Sequence, residues 1–263
     1  MQWGQGVDST FSTLVTNLQT IMAKGLTSVM IFGVVDNKDE RGSMADDEST
    51  PVIKCTAALR KALPELLVAC DVCMYEYNDH GHCGILRDVD GDHAVDNRCT
   101  LKRLMNISSY GLPIRHDGNR IGTIRQTFNE NGFEHVSIMA YTSKKASVMY
   151  APFRDAVEST FKGYRKRYQH PVGSTSHATL AFERDVNQGA DSEIVNPALF
   201  YSDIVASFAA KKLVPVVCYL VSGEYKMVKD YGDSTNSLEN VVREAHIGLL
   251  RAGASVLITY FTS

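Results

Sequence analysis

The segment Asp71-Val72-Cys73-Met74-Tyr75-Glu76-Tyr77-Asn78-Asp79-His80-Gly81-His82-Cys83-Gly84 crowds two thiols, two imidazoles and three carboxylates into one short stretch. Such donors suit a soft divalent ion such as zinc, although a Cys-x9-Cys spacing is not a usual zinc pattern and the same thiols could equally pack in a core. A second chemical candidate is Lys144, in Tyr141-Thr142-Ser143-Lys144-Lys145 just beyond an apolar run. Desolvated at a strand end, its amine could form a Schiff base with a ketone; left in water it is a surface charge. Downstream, Arg154, Arg165, Lys166 and Arg167 form a cationic segment able to grip carboxylates through paired hydrogen bonds, or to serve as a solvated face. The acidic run Asp88-Val89-Asp90-Gly91-Asp92 puts its glycine one position early for an EF-hand loop and reads as a solvated turn.

These residues need elements to hold them. Phe11, Leu14, Val15, Leu18, Ile21 and Met22 recur at three and four, predicting a helix over residues 7–26 that stops at Gly25. A β-branched run follows at once, and the same order of helix, glycine, small linker and strand returns around Gly189 and Gly253. Six strands are predicted, at residues 28–34, 66–72, 136–141, 192–195, 214–219 and 255–260, with room between them for helical crossovers. That rhythm predicts a parallel sheet. An open doubly wound sheet would fit six strands too, but no glycine-rich phosphate loop follows any of them, which favours a (β/α) barrel. Eight strands would close it. Nothing before the first helix reads as a strand, and residues 106–120 are too polar for one.

The chain has 263 residues, 44% of them hydrophobic, which is one core's worth and predicts a single domain over residues 1–263. With 27 basic against 30 acidic residues and no basic run, nucleic acid is not an expected partner. The apolar stretches are strand length, too short to insert in a membrane. Six cysteines in so long a chain do not make a disulfide framework, and the first residues lack the order of a signal or transit peptide. The expected setting is a soluble one in a reducing, intracellular compartment.

Taken together the segments KDERGS (38–43), LLVACDVC (66–73), HGHCG (80–84), YAPFRDA (150–156), CYLVSGEY (218–225) and RAGASVLITY (251–260) resemble the porphobilinogen synthase (5-aminolevulinate dehydratase) family through nearly the whole chain. KDERGS and DVC are similar to its zinc-using animal and fungal branch. The resemblance implies an α/β fold of the (β/α)8 TIM-type barrel kind. It implies membership of the heme pathway, where the family condenses two molecules of 5-aminolevulinate with loss of two waters, and a cytoplasmic location by analogy. It assigns a Schiff-base lysine to Lys144. Substrate-carboxylate or lid roles go to Arg154, Arg165, Gln169, Ser222 and Tyr260, with a lid over residues 155–169 that excludes water on closing.

The departures from the family pattern carry as much information. A second Schiff-base lysine belongs in a V-K-P motif, which here reads Val195-Asn196-Pro197. An amide nitrogen is delocalised into its carbonyl and cannot attack a ketone. Losing that neighbouring positive charge also favours the protonated, unreactive form of Lys144. The three zinc cysteines are matched by Cys73, Tyr75 and Cys83, and a phenol with a reference pKa of about 10 is a poor third ligand, so zinc is expected to bind weakly; His82 or Asp71 could compensate. The element after the fourth strand survives only at Asp117, Gly118 and Arg120, and the first strand and N-terminal arm of the family find no counterpart. The barrel is therefore expected to be incomplete, with a degenerate fourth-strand region. The expected protein is an inactive or strongly impaired copy that can still meet 5-aminolevulinate as a binding or structural subunit, outside the family octamer and in a hetero-complex. The contrasting expectation is a working synthase using Lys144 alone.

Overall fold

The computed structural model describes residues 7–89, 92–96, 99–101, 105, 120–150 and 169–261. Helix α1 (Val7–Met22) leads through Gly25, at φ +106°, into strand β1 (Ser28–Ile31). Helix α2 (Pro51–Ala62), with its proline at the first position where the missing N–H costs nothing, precedes β2 (Leu67–Cys70). An antiparallel pair, β3 (Leu86–Val89) and β4 (Asp92–Val95), follows. Then come α3 (Arg120–Glu130), β5 (Met139–Lys144), α4 (Ser176–Asn187), β6 (Ser192–Asn196), α5 (Ser202–Lys211), β7 (Val216–Tyr219), α6 (Ser222–Ser234), α7 (Leu238–Arg251) and β8 (Val256–Ile258).

The pairing is parallel wherever a helix separates two strands. β1 pairs with β2, and β5-β6-β7-β8 form one four-stranded sheet. All six expected strands are present. β5 begins later than expected and runs on through Lys144, so that lysine is the last residue of a strand rather than part of a following loop. The acidic run read as a turn contributes Asp88, Val89 and Asp92 to β3 and β4. Of the degenerate region expected at residues 106–120 only Arg120, the first residue of α3, is described; the rest lies outside the described residues, as do Arg154 and Arg165.

Both faces of the parallel sheet are covered, which explains the unbroken apolar runs of its strands. On the outer face, Val195, Val216 and Cys218 pack with Phe182 of α4, Val205 and Phe208 of α5 and Leu249 of α7. On the inner face, Ile194, Val217 and Tyr219 meet Tyr141, Tyr150 and Val221. Met30 and Phe32, at the β1 end, pack against that inner cluster together with Ile258 and Tyr260, at the β8 end. The inner faces of the first and last described strands thus converge on one interior, although hydrogen-bonded pairing among the described residues does not close a barrel.

No helix among the described residues is long and apolar enough to cross a membrane. The six cysteines are all free, and five of them are buried. Burial pushes the thiols of Cys55 and Cys70 up to about 11 and that of Cys218 up to about 12, so these three are packing groups and not nucleophiles.

Candidate functional site

Side chains two apart on a strand share a face. In β6 this puts Ile194 and Asn196 inward, and Glu193 and Val195 against the helices. β5 has an irregularity between Ala140 and Ser143 that resets its alternation, after which Ser143 is level with Val195 and Lys144 with Asn196. A break of this kind re-aims a side chain. It brings the terminal residues of two adjacent strands, Lys144 and Asn196, side by side at the carboxyl end of the sheet, the end at which barrel enzymes carry their working groups.

Lys144 is only 4% exposed, and its Nζ lies 5.8 Å from the ring centre of Tyr141 and 5.6 Å from that of Tyr150. Both rings can stabilise the ammonium through their faces. Asn196 is fully buried, and neither Oδ1 nor Nδ2 has a hydrogen-bond partner among the described residues. Its backbone is pinned: Tyr150 Oη donates to the Asn196 carbonyl at 2.8 Å and the Lys145 N–H donates to it at 3.1 Å. Gln169 is buried too, with Nε2 unpartnered among the described residues. Orphaned buried amides are rare in native proteins and mark places where another group belongs. Tyr260 shares a hydrogen bond of 3.0 Å with Tyr219, and burial raises its phenol pKa while that bond partly opposes the rise.

The rim is held by Glu224 of α6. Its carboxylate accepts the N–H groups of Leu199 at 2.7 Å, Val221 at 2.8 Å and Ala198 at 3.3 Å, tying the segment after β6 to the segment after β7. Burial lifts Glu224 to about 7 against the lowering effect of those three bonds. Ser222 opens the same helix, and Gly223 beside it must be glycine: a Cβ there would stand 2.4 Å from the Met149 carbonyl oxygen.

Sequence reasoning brought Lys144, Asn196, Gln169, Ser222 and Tyr260 forward, and three further features take shape only in the structure. Tyr141, Tyr150 and Tyr219 line the interior, the first two beside the lysine, and alternation along β7 from Val217 was the signal for Tyr219. Lys145, next to Lys144, is 1% exposed. Its amine donates to the Ser174 carbonyl and lies 5.5 Å from the Tyr201 ring centre, away from the Lys144 pair. Burial lowers its pKa and the Asp203 charge raises it again.

The third feature is in the cysteine-rich loop. Cys73, Tyr75 and Cys83 form one buried cluster, so the three positions matched to zinc ligands do come together. Two thiols and a phenol do not make a three-thiolate set. Asp71, Cys73 and Glu76, however, are all buried and hold their donor atoms within 4.8 Å of one another, a group that includes Asp71 but not His82. These residues fit a divalent ion, which in such a place would act as a Lewis acid toward an oxygen ligand. His80 instead contacts the Glu40 carbonyl through Nε2 at 3.1 Å and accepts the His82 N–H at 3.2 Å.

Residues 5–263 match the family model for delta-aminolevulinic acid dehydratase. Among relatives bearing that name, the protein of Eremothecium gossypii is 40% identical over 261 residues, covering 93% of this chain and 76% of its own length. That of Pongo abelii is 40% identical, covering 93% and 78%. That of Synechococcus elongatus is 38% identical, covering 94% and 79%. The crystal structure of delta-aminolevulinic acid dehydratase (porphobilinogen synthase) from Toxoplasma gondii ME49, in complex with the reaction product porphobilinogen, superposes with a TM-score of 0.91 at 28% identity, over 100% of this chain and 80% of that one. On sequence and on fold alike, this chain belongs to the delta-aminolevulinic acid dehydratase family, whose chemistry lies in the tetrapyrrole pathway.

Proposed function

We propose that this chain is a degenerate member of its family, a single domain that binds 5-aminolevulinate without condensing it at a normal rate and serves as a binding or structural subunit. One observation carries the reading: the register partner of Lys144 is Asn196, an amide with no nucleophilic electron pair, at the position of the second amine. Lys144 itself keeps the means to react once. Its Nζ can add to the ketone carbon of one substrate molecule; the oxygen leaves as water and a C=N bond remains. Gln169, Ser222 and Tyr260, with Arg154 and Arg165, are proposed to receive that molecule's polar groups. Condensation needs a second activated substrate, which Asn196 cannot supply. The contrasting reading, a working synthase through Lys144 alone, draws its support from the burial of that lysine among tyrosines. An incomplete (β/α)8 barrel remains part of the proposal: the shared inner cluster of the β1 and β8 ends supports the barrel, and pairing that does not close among the described residues supports its incompleteness. A reducing, cytoplasmic setting, supported by free cysteines, remains part of it too.

Borohydride reduction in the presence of 5-aminolevulinate, followed by peptide mass mapping, tests the site. The expected result is one adduct, on Lys144, and none on Lys145. Absence of any adduct would overturn the binding reading.

Assembly outside the family octamer, as a subunit of a hetero-complex, is supported by β1: among the described residues it pairs with β2 and presents its other edge unpaired. Such edges recruit strands from other chains. Light scattering of the purified chain should give a smaller particle than an octamer; a well-behaved homo-octamer would refute this.

A further inference from the structure

Lys145 is a buried charge that imine chemistry at Lys144 leaves unused. It is 1% exposed, and an ammonium is costly to bury unless the site returns strong contacts. Those contacts come from separate segments of the chain. The amine donates to the Ser174 carbonyl, lies 5.5 Å from the ring centre of Tyr201 and feels the opposite charge of Asp203, in the first turn of α5. Tyr201 in turn shares a hydrogen bond with the Ser147 side chain, just beyond β5.

The main chain of the same residue meets the same segment. Lys145 and His170 form a parallel bridge, in which the His170 N–H donates to the Lys144 carbonyl at 2.9 Å and the Ala146 N–H donates to the His170 carbonyl at 2.9 Å. The Lys145 N–H points the other way, to the Asn196 carbonyl at 3.1 Å, so the end of β5 lies between β6 and residues 169–170. Residues level with one another on adjacent strands share a face, which puts Gln169 on the face of Lys144 just as it puts Asn196 there. The row across the mouth reads Gln169, Lys144, Asn196. A turn then follows, with the Ser174 N–H donating to the Pro171 carbonyl at 3.1 Å, and it returns the Ser174 carbonyl to the Lys145 amine on the opposite face.

We propose that Lys145 is a positioning residue: its buried amine clasps residues 170–174 to the ends of β5 and β6 and so holds the Gln169 amide level with Lys144. The effect on ligand rests on the proposed 5-aminolevulinate binding, whereas the clasp itself does not.

Lys145→Met keeps the length of the side chain and removes the amine. In the ligand-free full chain, hydrogen exchange at the Ala146 and His170 amides should quicken at least ~10-fold, while Val217 and Cys218 in the middle of the sheet keep their rates. Borohydride trapping at Lys144 should need at least ~10-fold more 5-aminolevulinate for half-maximal labelling, with the maximum unchanged. Gln169→Ala should impose a comparable loss, and Lys145→Met added to it should shift the half-maximal concentration by less than ~3-fold, because residues acting through one contact are not additive. A further ~10-fold loss in the double variant overturns the positioning role. Unchanged exchange at Ala146 and His170 overturns the clasp. If the unaltered chain forms no adduct, the binding reading fails by itself and exchange alone decides the clasp. If Lys145→Met does not fold, Lys145→Gln, which keeps a donor but loses the charge, is read in the same way, with at least ~3-fold expected in each measurement.

Discussion

Supplied with 5-aminolevulinate, the purified chain should form porphobilinogen at least ~10³-fold more slowly than a relative carrying both lysines, a barrier higher by about 4 kcal/mol. The loss follows from the pairing of Lys144 with Asn196 at the ends of β5 and β6. Two substrate molecules activated on neighbouring amines react as an intramolecular pair; with one amine gone, the second molecule must be activated and positioned by weaker contacts. Removing one member of a catalytic pair usually leaves residual catalysis from binding, so the rate should fall steeply but not to zero. Asn196→Lys should then add a second borohydride-trappable site at residue 196 while leaving the rate short of a two-lysine relative, because Tyr75 still stands where the family carries a thiol. Normal turnover by the unaltered chain would refute the degenerate reading, and full recovery on Asn196→Lys would refute the part given to the loop.

The second large effect is on stability and concerns Glu193. This residue faces outward from β6, fully buried between sheet and helix, and neither carboxylate oxygen has a hydrogen-bond partner among the described residues. Burial, reinforced by the neighbouring Asp185 charge and only partly offset by Arg184, pushes its pKa up to about 10 from an ordinary value of 4.5. Asp185 is engaged by Thr142 Oγ1 at 3.0 Å and by Arg184 at 2.8 Å, which turns both of those partners away from Glu193. The folded chain therefore holds a proton that the unfolded chain releases. Stability from this group is complete below about pH 4.5 and drains away as pH rises through 10. Glu224 acts with the same sign over a narrower window, from 4.5 to about 7. Glu193→Gln removes the larger of the two effects: at pH 8 it should stabilise the fold by up to about 5 kcal/mol, or roughly 10–20 °C in Tm for a domain of this size. Melting curves should fall from pH 5 to 9 for the unaltered chain, whereas for the variant only the fall below about pH 7 that Glu224 causes should remain. Parallel curves would show that Glu193 finds its compensation elsewhere.

Much of this was legible in the residues. The glycine-capped helix preceding each β-branched run gave away the parallel strands, because left-handed caps and buried strands have few sequence alternatives. Asn196 stood out because chemistry at that position tolerates no amide. The β3-β4 pair was hidden by its charges: Arg87, Asp88 and Asp92 look like a solvated turn until two short strands are seen to pair through their backbones. Glu76 was hidden for a different reason, since only a 3-10 turn folds residue 76 back on residue 73, and short turns of that kind leave no periodic signal. Glu193 reads as an ordinary outward-facing strand residue, and it is the helix packed across it that makes the position unusual.

Lysine and asparagine codons differ only in their third base, so a single nucleotide change would place a second amine at residue 196. The mouth around residues 144 and 196 is built from main-chain atoms: His170 donates its N–H to the Lys144 carbonyl at 2.9 Å, Lys145 and Tyr150 converge on the Asn196 carbonyl, and Glu224 gathers the amides that follow. None of these bonds reads the identity of either side chain. The backbone frame of the mouth would therefore stand with either side chain, and what separates the two is the cost of burying a second ammonium beside Lys144 at a fully buried position.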